Sequence, residues 1–125
     1  MVMDINAFGI REYERVAEGI QVVVNAAEGR IVKVIIETCL WEQDQIMLAC
    51  DIVQSTGAQF VKTSTGFAAQ GAVTGQVKLM RETVGPEFGV KASGGIKTAD
   101  DALAMIKAGA TRIGTSSGVE IVEGL

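Results

Sequence analysis

The chain has 125 residues, enough for one ordinary domain, with 48% apolar and 21% charged residues, so it is not an intrinsically disordered chain. No apolar run approaches the ~18 residues of a membrane span, and the N-terminus lacks the basic-then-apolar order of a signal peptide. The net charge of −4, with its basic residues scattered, weighs against a nucleic-acid partner.

The elements alternate along the chain. "REYERVAEGIQVVVNAA" places Tyr13, Val16, Ala17, Ile20, Val23, Val24 and Ala27 at helical spacing, and Gly29 suits the helix end. The β-branched run "RIVKVIIET" predicts a strand. "WEQDQIMLACDIVQSTG" returns to helical period through Ile46, Ala49, Cys50 and Val53 and closes at Gly57. "AQFVKTS" is the next strand, and "TGQVKLMRETVG" a shorter helix with Val77, Met80 and Val84 on one face. "FGVKASGG" is a third strand. Thr98 and Asp101 form a capping pair before "DDALAMIKAG", which ends at Gly109, and "TRIGTSSG" is a last short strand. Repeats of about 25 to 35 residues suit βαβ units, hence a parallel sheet in an α/β domain covering residues 1–125. Doubly wound sheets and β/α barrels both satisfy this order. The absence of a GxGxxG or P-loop pattern disfavours the nucleotide-binding version.

Three strands each carry a lysine in an apolar setting, where an ammonium is costly unless it is paired, neutralised or used. Strand alternation puts Lys33, Ile35 and Glu37 on one face and Val32, Val34 and Ile36 on the other. Likewise Phe60, Lys62 and Ser64 oppose Val61 and Thr63, and Gly89, Lys91 and Ser93 oppose Val90 and Ala92. In a barrel the valine face packs on helices and the three lysines meet inside. Ammoniums brought that close repel, so at least one pKa should fall, supplying the free amine a nucleophile needs.

With no histidine in the chain, proton transfer falls to Lys, Asp, Glu, Tyr, Cys or water. Cys39 and Cys50 read as reduced thiols of a cytoplasmic protein, and no metal site on His or paired Cys is expected. Small polar turns follow the strands: "TSTG" (63–66), "ASGG" (92–95) and "GTSSG" (114–118). At the C-terminal ends of strands, such turns let backbone N–H groups approach an anion, and their convergence suits a phosphate.

"VKVIIET", "FVKTSTGF", "LMRETVGPEFGVKASGGIKTADDALAMI" and "GATRIGTSSGVEIVEG" closely resemble the bacterial-type deoxyribose-phosphate aldolases, from about Tyr13 to Gly124. The resemblance implies a (β/α)8 barrel and a metal-free, cofactor-free class I aldolase. That reaction is the reversible cleavage of 2-deoxy-D-ribose 5-phosphate to acetaldehyde and glyceraldehyde 3-phosphate. It implies Lys62 as the Schiff-base lysine, Lys91 as the cation that lowers the nucleophile's pKa, and Lys33 as a supporting residue. Gly66, Gly94, Gly95, Ser116 and Ser117 would hold the phosphate. The substrate partner is thus a small phosphorylated sugar, with neither nucleic acid nor membrane.

A full barrel has about 250 residues. The match begins at the fourth strand, reduced to "MVMDINAF", and the family's catalytic aspartate would lie immediately before Met1; Asp4 is not its counterpart. The expected architecture is therefore a partial TIM barrel, its C-terminal half, with four to five parallel strands and outer helices. Its open edges would be closed by dimerisation, or the sheet would flatten into a three-layer sandwich; either way a homodimer or higher homo-oligomer is expected.

Overall fold

A computed structural model describes residues 1–125. Four parallel strands, β1 (Lys33–Ile35), β2 (Phe60–Lys62), β3 (Gly89–Ser93) and β4 (Arg112–Gly114), lie in the order β1-β2-β3-β4. Each crossover thus lands on the adjacent position and always steps in the same direction. That is the winding of a barrel arc; a doubly wound sheet reverses direction part-way.

The helices α2 (Tyr13–Ala26), α3 (Gln43–Ser55), α4 (Thr74–Val84) and α5 (Ala99–Ala108) each pack on the next. They form one layer on one face of the sheet, so the three-layer sandwich is not what the chain adopts. The strands explain why. Val34, Val61 and Val90 alternate onto the helix-covered face and lose all exposure. They join Ile46, Ala49, Cys50 and Val53 of α3 and Val77 and Met80 of α4 in one core. On the opposite strand face Lys33, Ile35, Phe60, Lys62, Gly89 and Lys91 stay half-buried, because no second layer covers them. Burial pushes the Cys50 thiol up to about 12, an inert core cysteine. Both cysteines are free.

The helix ends follow the sequence signals. Thr98 Oγ1 accepts the Asp101 N–H at 3.1 Å, and the Asp101 carboxylate accepts the N–H groups of Thr98 and Lys97, each at 3.1 Å. Arg81 on α4 supplies a less visible tie. Its guanidinium donates to the carbonyls of Gly109 (2.9 Å), Gly85 (2.6 Å) and Phe88 (2.6 Å), joining the end of α5 to the entry of β3. Gly109, at φ 121°, leaves room for it, since a Cβ there would sit 2.6 Å from the arginine's own Cβ.

At the N-terminus the expected strand remnant is confined to residues 1–3. Val2 makes a single parallel bridge to Ile35, with Met3 N–H donating to Ile35 O at 3.0 Å and Ile35 N–H to Met1 O at 2.8 Å. Asp4 then accepts the Ala7 N–H at 2.9 Å and starts a short helix, α1 (Ile5–Gly9). A final helix, α6 (Gly118–Glu123), was also not foreseen. Tyr13 and Trp41 are packing residues, their rings 5.5 and 4.8 Å from that of Phe8. Beside the open edge of β4, α5 and α6 leave Leu103, Ile106, Val119 and Val122 exposed. No helix is long and apolar enough to cross a membrane.

Candidate active site

Alternation sends Lys33, Lys62 and Lys91 to the uncovered face, and the strand register fixes their mutual placement. Lys62 and Lys91 are partners on neighbouring parallel strands, so their Cα atoms stand about 4.8 Å apart. Ile35 and Arg112 flank them in the same register row. Lys33 is paired with Phe60, one inward position nearer the strands' N-terminal ends.

Phe60 makes the floor beneath the lysine pair. The Lys33 ammonium lies 5.4 Å from its ring centroid and the Arg112 guanidinium 5.5 Å, within cation–π range. The ring lies over Gly89, where a Cβ would come within 2.5 Å of it. A glycine on β3 is thus what lets an aromatic ring on β2 lie flat.

None of these inward cations is ion-paired. The salt bridges of the chain are Arg15–Asp4, Arg15–Glu12, Arg30–Glu28 and Lys78–Glu82, all on the outside. Partial burial, then the charges of Lys62, Lys33 and Arg112, hold the Lys91 pKa below the ordinary lysine value. The terminal ammonium of Met1 is likewise lowered by burial and by Lys62 and Lys33. The expected fall in at least one pKa therefore registers at Lys91. The expectation of a buried Lys62 needs correction: Lys62 is half-buried, as are Lys33 and Lys91, because the inward face lies open.

At the C-terminal ends of the strands, Lys62 opens onto a cleft of about 390 Å³. Gly66, Gly94, Gly95 and Ser116 line it, so four of the five phosphate candidates gather around the Schiff-base candidate. Ser117 stands apart. It begins α6, and its N–H is already given to Thr115 Oγ1 at 2.9 Å. Lys91 lies just below the cleft, its Nζ 3.8 Å from where a Cβ on the cleft residue Gly114 would be.

The N–H groups of Gly66, Gly95 and Ser116 donate to no acceptor in the chain. Free amides converging on a cleft that holds a lysine suit an anion. Gly66, Gly94 and Gly95 have φ of 95°, 88° and 77°, which side chains rarely adopt. The sequence reading missed Thr65, Ser93, Lys97 and Thr115, which also line the cleft. Thr65 and Thr115 lay inside the quoted turn motifs, so the hydroxyl-rich turns were the available signal.

A hydroxyl network stiffens the strand tips. Thr63 Oγ1 donates to Ser93 O (3.0 Å) and accepts the Ser93 N–H (3.1 Å), while Ser93 Oγ donates to Ser64 O (2.8 Å). On the other flank, the buried Glu37 carboxylate accepts the Thr65 N–H. Asp4, the helix-capping carboxylate, pairs with Arg15 away from the cleft.

A singly wound β/α arc, with paired lysines beneath glycine-rich turns, defines the fold class: part of a parallel β/α barrel. Relatives make the class specific. Over 124 residues the chain is 54% identical to the deoxyribose-phosphate aldolase of Streptococcus sanguinis, a match spanning 99% of this chain and 56% of that protein. It is 55% identical over 126 residues to that of Thermococcus gammatolerans, again 56% of the relative. Among solved structures, a putative deoxyribose-phosphate aldolase from Coccidioides immitis superposes with TM-score 0.93 at 42% identity, over 98% of this chain and 50% of that one. No family model matches the chain. In sequence and fold the chain corresponds to about half of a deoxyribose-phosphate aldolase, consistent with the C-terminal half. It spans little more than half the length of the curated relatives it matches.

Proposed function

We propose that the chain carries the Schiff-base portion of a class I aldolase site for 2-deoxy-D-ribose 5-phosphate. The carrying observation is the pairing of Lys62 with Lys91 in register, on the inward face, directly under a cleft rimmed by free amides. In this reading the Lys62 amine adds to the substrate aldehyde and water leaves, giving a protonated imine. The imine draws the electron pair of the C2–C3 bond as that bond breaks, and glyceraldehyde 3-phosphate departs with its new carbonyl at the former C3. The C3 hydroxyl proton passes to a base. The enamine left on Lys62 is then protonated at C2 and hydrolysed to acetaldehyde.

Burial, then the like charges of Lys62, Lys33 and Arg112, lower the Lys91 pKa, which favours a free amine on the inward face. Lys33 supports the pair through Phe60. The phosphate would take the amides of Gly66, Gly95 and Ser116, with Gly94 admitting the close approach of Gly71 to the rim and Ser117 shaping the turn.

The test is borohydride trapping with acetaldehyde. An ethyl adduct on Lys62, lost in Lys62→Met, is expected; no adduct overturns the Schiff-base reading. A second reading, a phosphate-binding half-barrel without turnover, draws on the half-exposure of Lys62 and on the engagement of Asp4 and Glu37 elsewhere. It predicts phosphate binding with no adduct. Self-association is part of the proposal, supported by the open β4 edge and the apolar residues beside it. A related solved structure, that of the deoxyribose phosphate aldolase from Aeropyrum pernix, is described as tetrameric. A monomeric mass by light scattering at high concentration would count against self-association here. A cytoplasmic location completes the reading.

A further inference from the structure

The tip of β1 holds a residue that is costly twice over. Glu37 has φ 57° and ψ 65°, the left-handed region that residues other than glycine and asparagine seldom occupy. Its side chain is buried, the residue being 4% exposed, and no lysine or arginine nitrogen stands within ion-pair distance. Backbone strain and a buried unpaired carboxylate each oppose folding, and such outliers gather at functional sites.

The carboxylate faces one partner. The Thr65 N–H lies 3.2 Å from one oxygen and 3.4 Å from the other. Toward β3, the segment Thr63–Ser64 is already fastened by the Ser93 and Thr63 hydroxyls. Glu37 is the anchor on the β1 side. The next amide, that of Gly66, donates to nothing and lines the cleft. An N–H can favour an anion strongly only when it is already aimed, so the residue before it must be held.

We infer that Glu37 is a positioning residue: by gripping the Thr65 amide it aims the free Gly66 N–H into the cleft and so sets the affinity for a phosphate monoester. This rests on the phosphate site of the proposed function. The carboxylate does not contact the anion; it acts through Thr65. An amide oxygen would serve as well, so the grip depends on an acceptor at that reach and the negative charge is dispensable.

The experiment follows the Gly66 and Thr65 amide signals by NMR while inorganic phosphate is titrated. In the wild-type chain the Gly66 signal shifts and saturates. Glu37→Gly removes both the strain and the acceptor, so it should be at least as resistant to heat as wild type yet bind phosphate about tenfold more weakly, one lost positioning bond. Glu37→Asn tolerates the left-handed backbone but is too short to reach Thr65, and it should behave like Glu37→Gly if the latter folds poorly. Glu37→Gln keeps an acceptor and should bind within about twofold of wild type. A purely structural role would instead lower heat resistance in Glu37→Gly and leave affinity alone, and that result overturns the inference. So does a Glu37→Gln as weak as Glu37→Gly. A wild-type chain with no saturable Gly66 shift removes the phosphate site itself and this inference with it.

Discussion

Replacing Gly71 by alanine tests whether the loop after β2 is locked onto the cleft rim. Gly71 crosses the turn that follows β3, and a Cβ at this position would lie 2.2 Å from the Gly94 carbonyl oxygen and 2.3 Å from its carbon. Ordinary contact begins near 3.4 Å, so the two segments must part by roughly 1 Å. The obstructing atoms are backbone, with no rotamer to escape into, and Gly94 already sits at φ 88°. Separation breaks the Ala72 N–H to Gly94 O bond of 3.0 Å. Overpacking and one lost hydrogen bond together cost about 1.5–4.5 kcal/mol. Urea unfolding measures that loss, and phosphate titration measures what it does to the cleft, where affinity should fall because Gly94 and Gly95 move with the turn. Gly19→Ala is the control. It lies mid-way along α2 with nothing within 4 Å of its Cβ position, and it should stabilise by about 0.5–1 kcal/mol. If Gly71→Ala unfolds and binds phosphate as wild type does, the rim is not built on this contact.

Three further outcomes are expected. Arg81→Met abandons three carbonyls that a guanidinium now serves, and chemical denaturation should show a loss of about 2–3 kcal/mol, the half-buried site letting water recover the rest. Lys91 is held below the ordinary lysine pKa by burial, then by Lys62, Lys33 and Arg112. Between that lowered value and the ~10.4 of an unfolded lysine the unfolded chain binds more protons, so stability should rise with pH across the window. Lys91→Met should flatten this rise in urea midpoints measured from neutral to alkaline pH; an undiminished rise would refute the assignment. Asp101 is held below the usual carboxylate range by the N–H of Lys97, then by Thr98, so its contribution is present above about pH 4 and vanishes as pH falls through its lowered folded pKa. Asp101→Asn should be less sensitive to that acid fall.

Strands and long helices were legible because each has a period and a stop. The alternation in "VKVII" and "FVKTS" separates Val34 and Val61 from Lys33 and Lys62 in the sequence as it does in space. Thr98 with Asp101 marked the start of α5 because the reciprocal cap needs those residue types three apart. The two unforeseen helices are too short to show a period: α1 spans five residues and α6 six. Ser116 and Ser117 are equivalent in a one-dimensional reading of "TSSG", but the start of α6 claims only the second. The half-burial of Lys62 was equally hidden, since alternation says which face a side chain takes and nothing about whether that face is covered. Alternation groups Glu37 with Lys33 and Ile35, and no sequence signal marks a left-handed glutamate.

The two faces of the sheet divide the work in a way that bears on precision. Lys62 is flanked along its strand by Val61 and Thr63, and Lys91 by Val90 and Ala92, all four fully buried. Neither lysine backbone can shift without dragging a neighbour through a close-packed core. The unpaired inward cations push apart, and on their own face only the Phe60 ring, within cation–π range of Lys33 and Arg112, offsets that push. What holds them in register is the hydrogen-bonded ladder of β2 and β3 together with the valine layer behind. Truncating Val61 or Val90 would therefore be felt on the far side of the sheet, in the spacing of two amines it never touches, which is why the placement of this pair belongs to the packing of the helices as much as to the lysines.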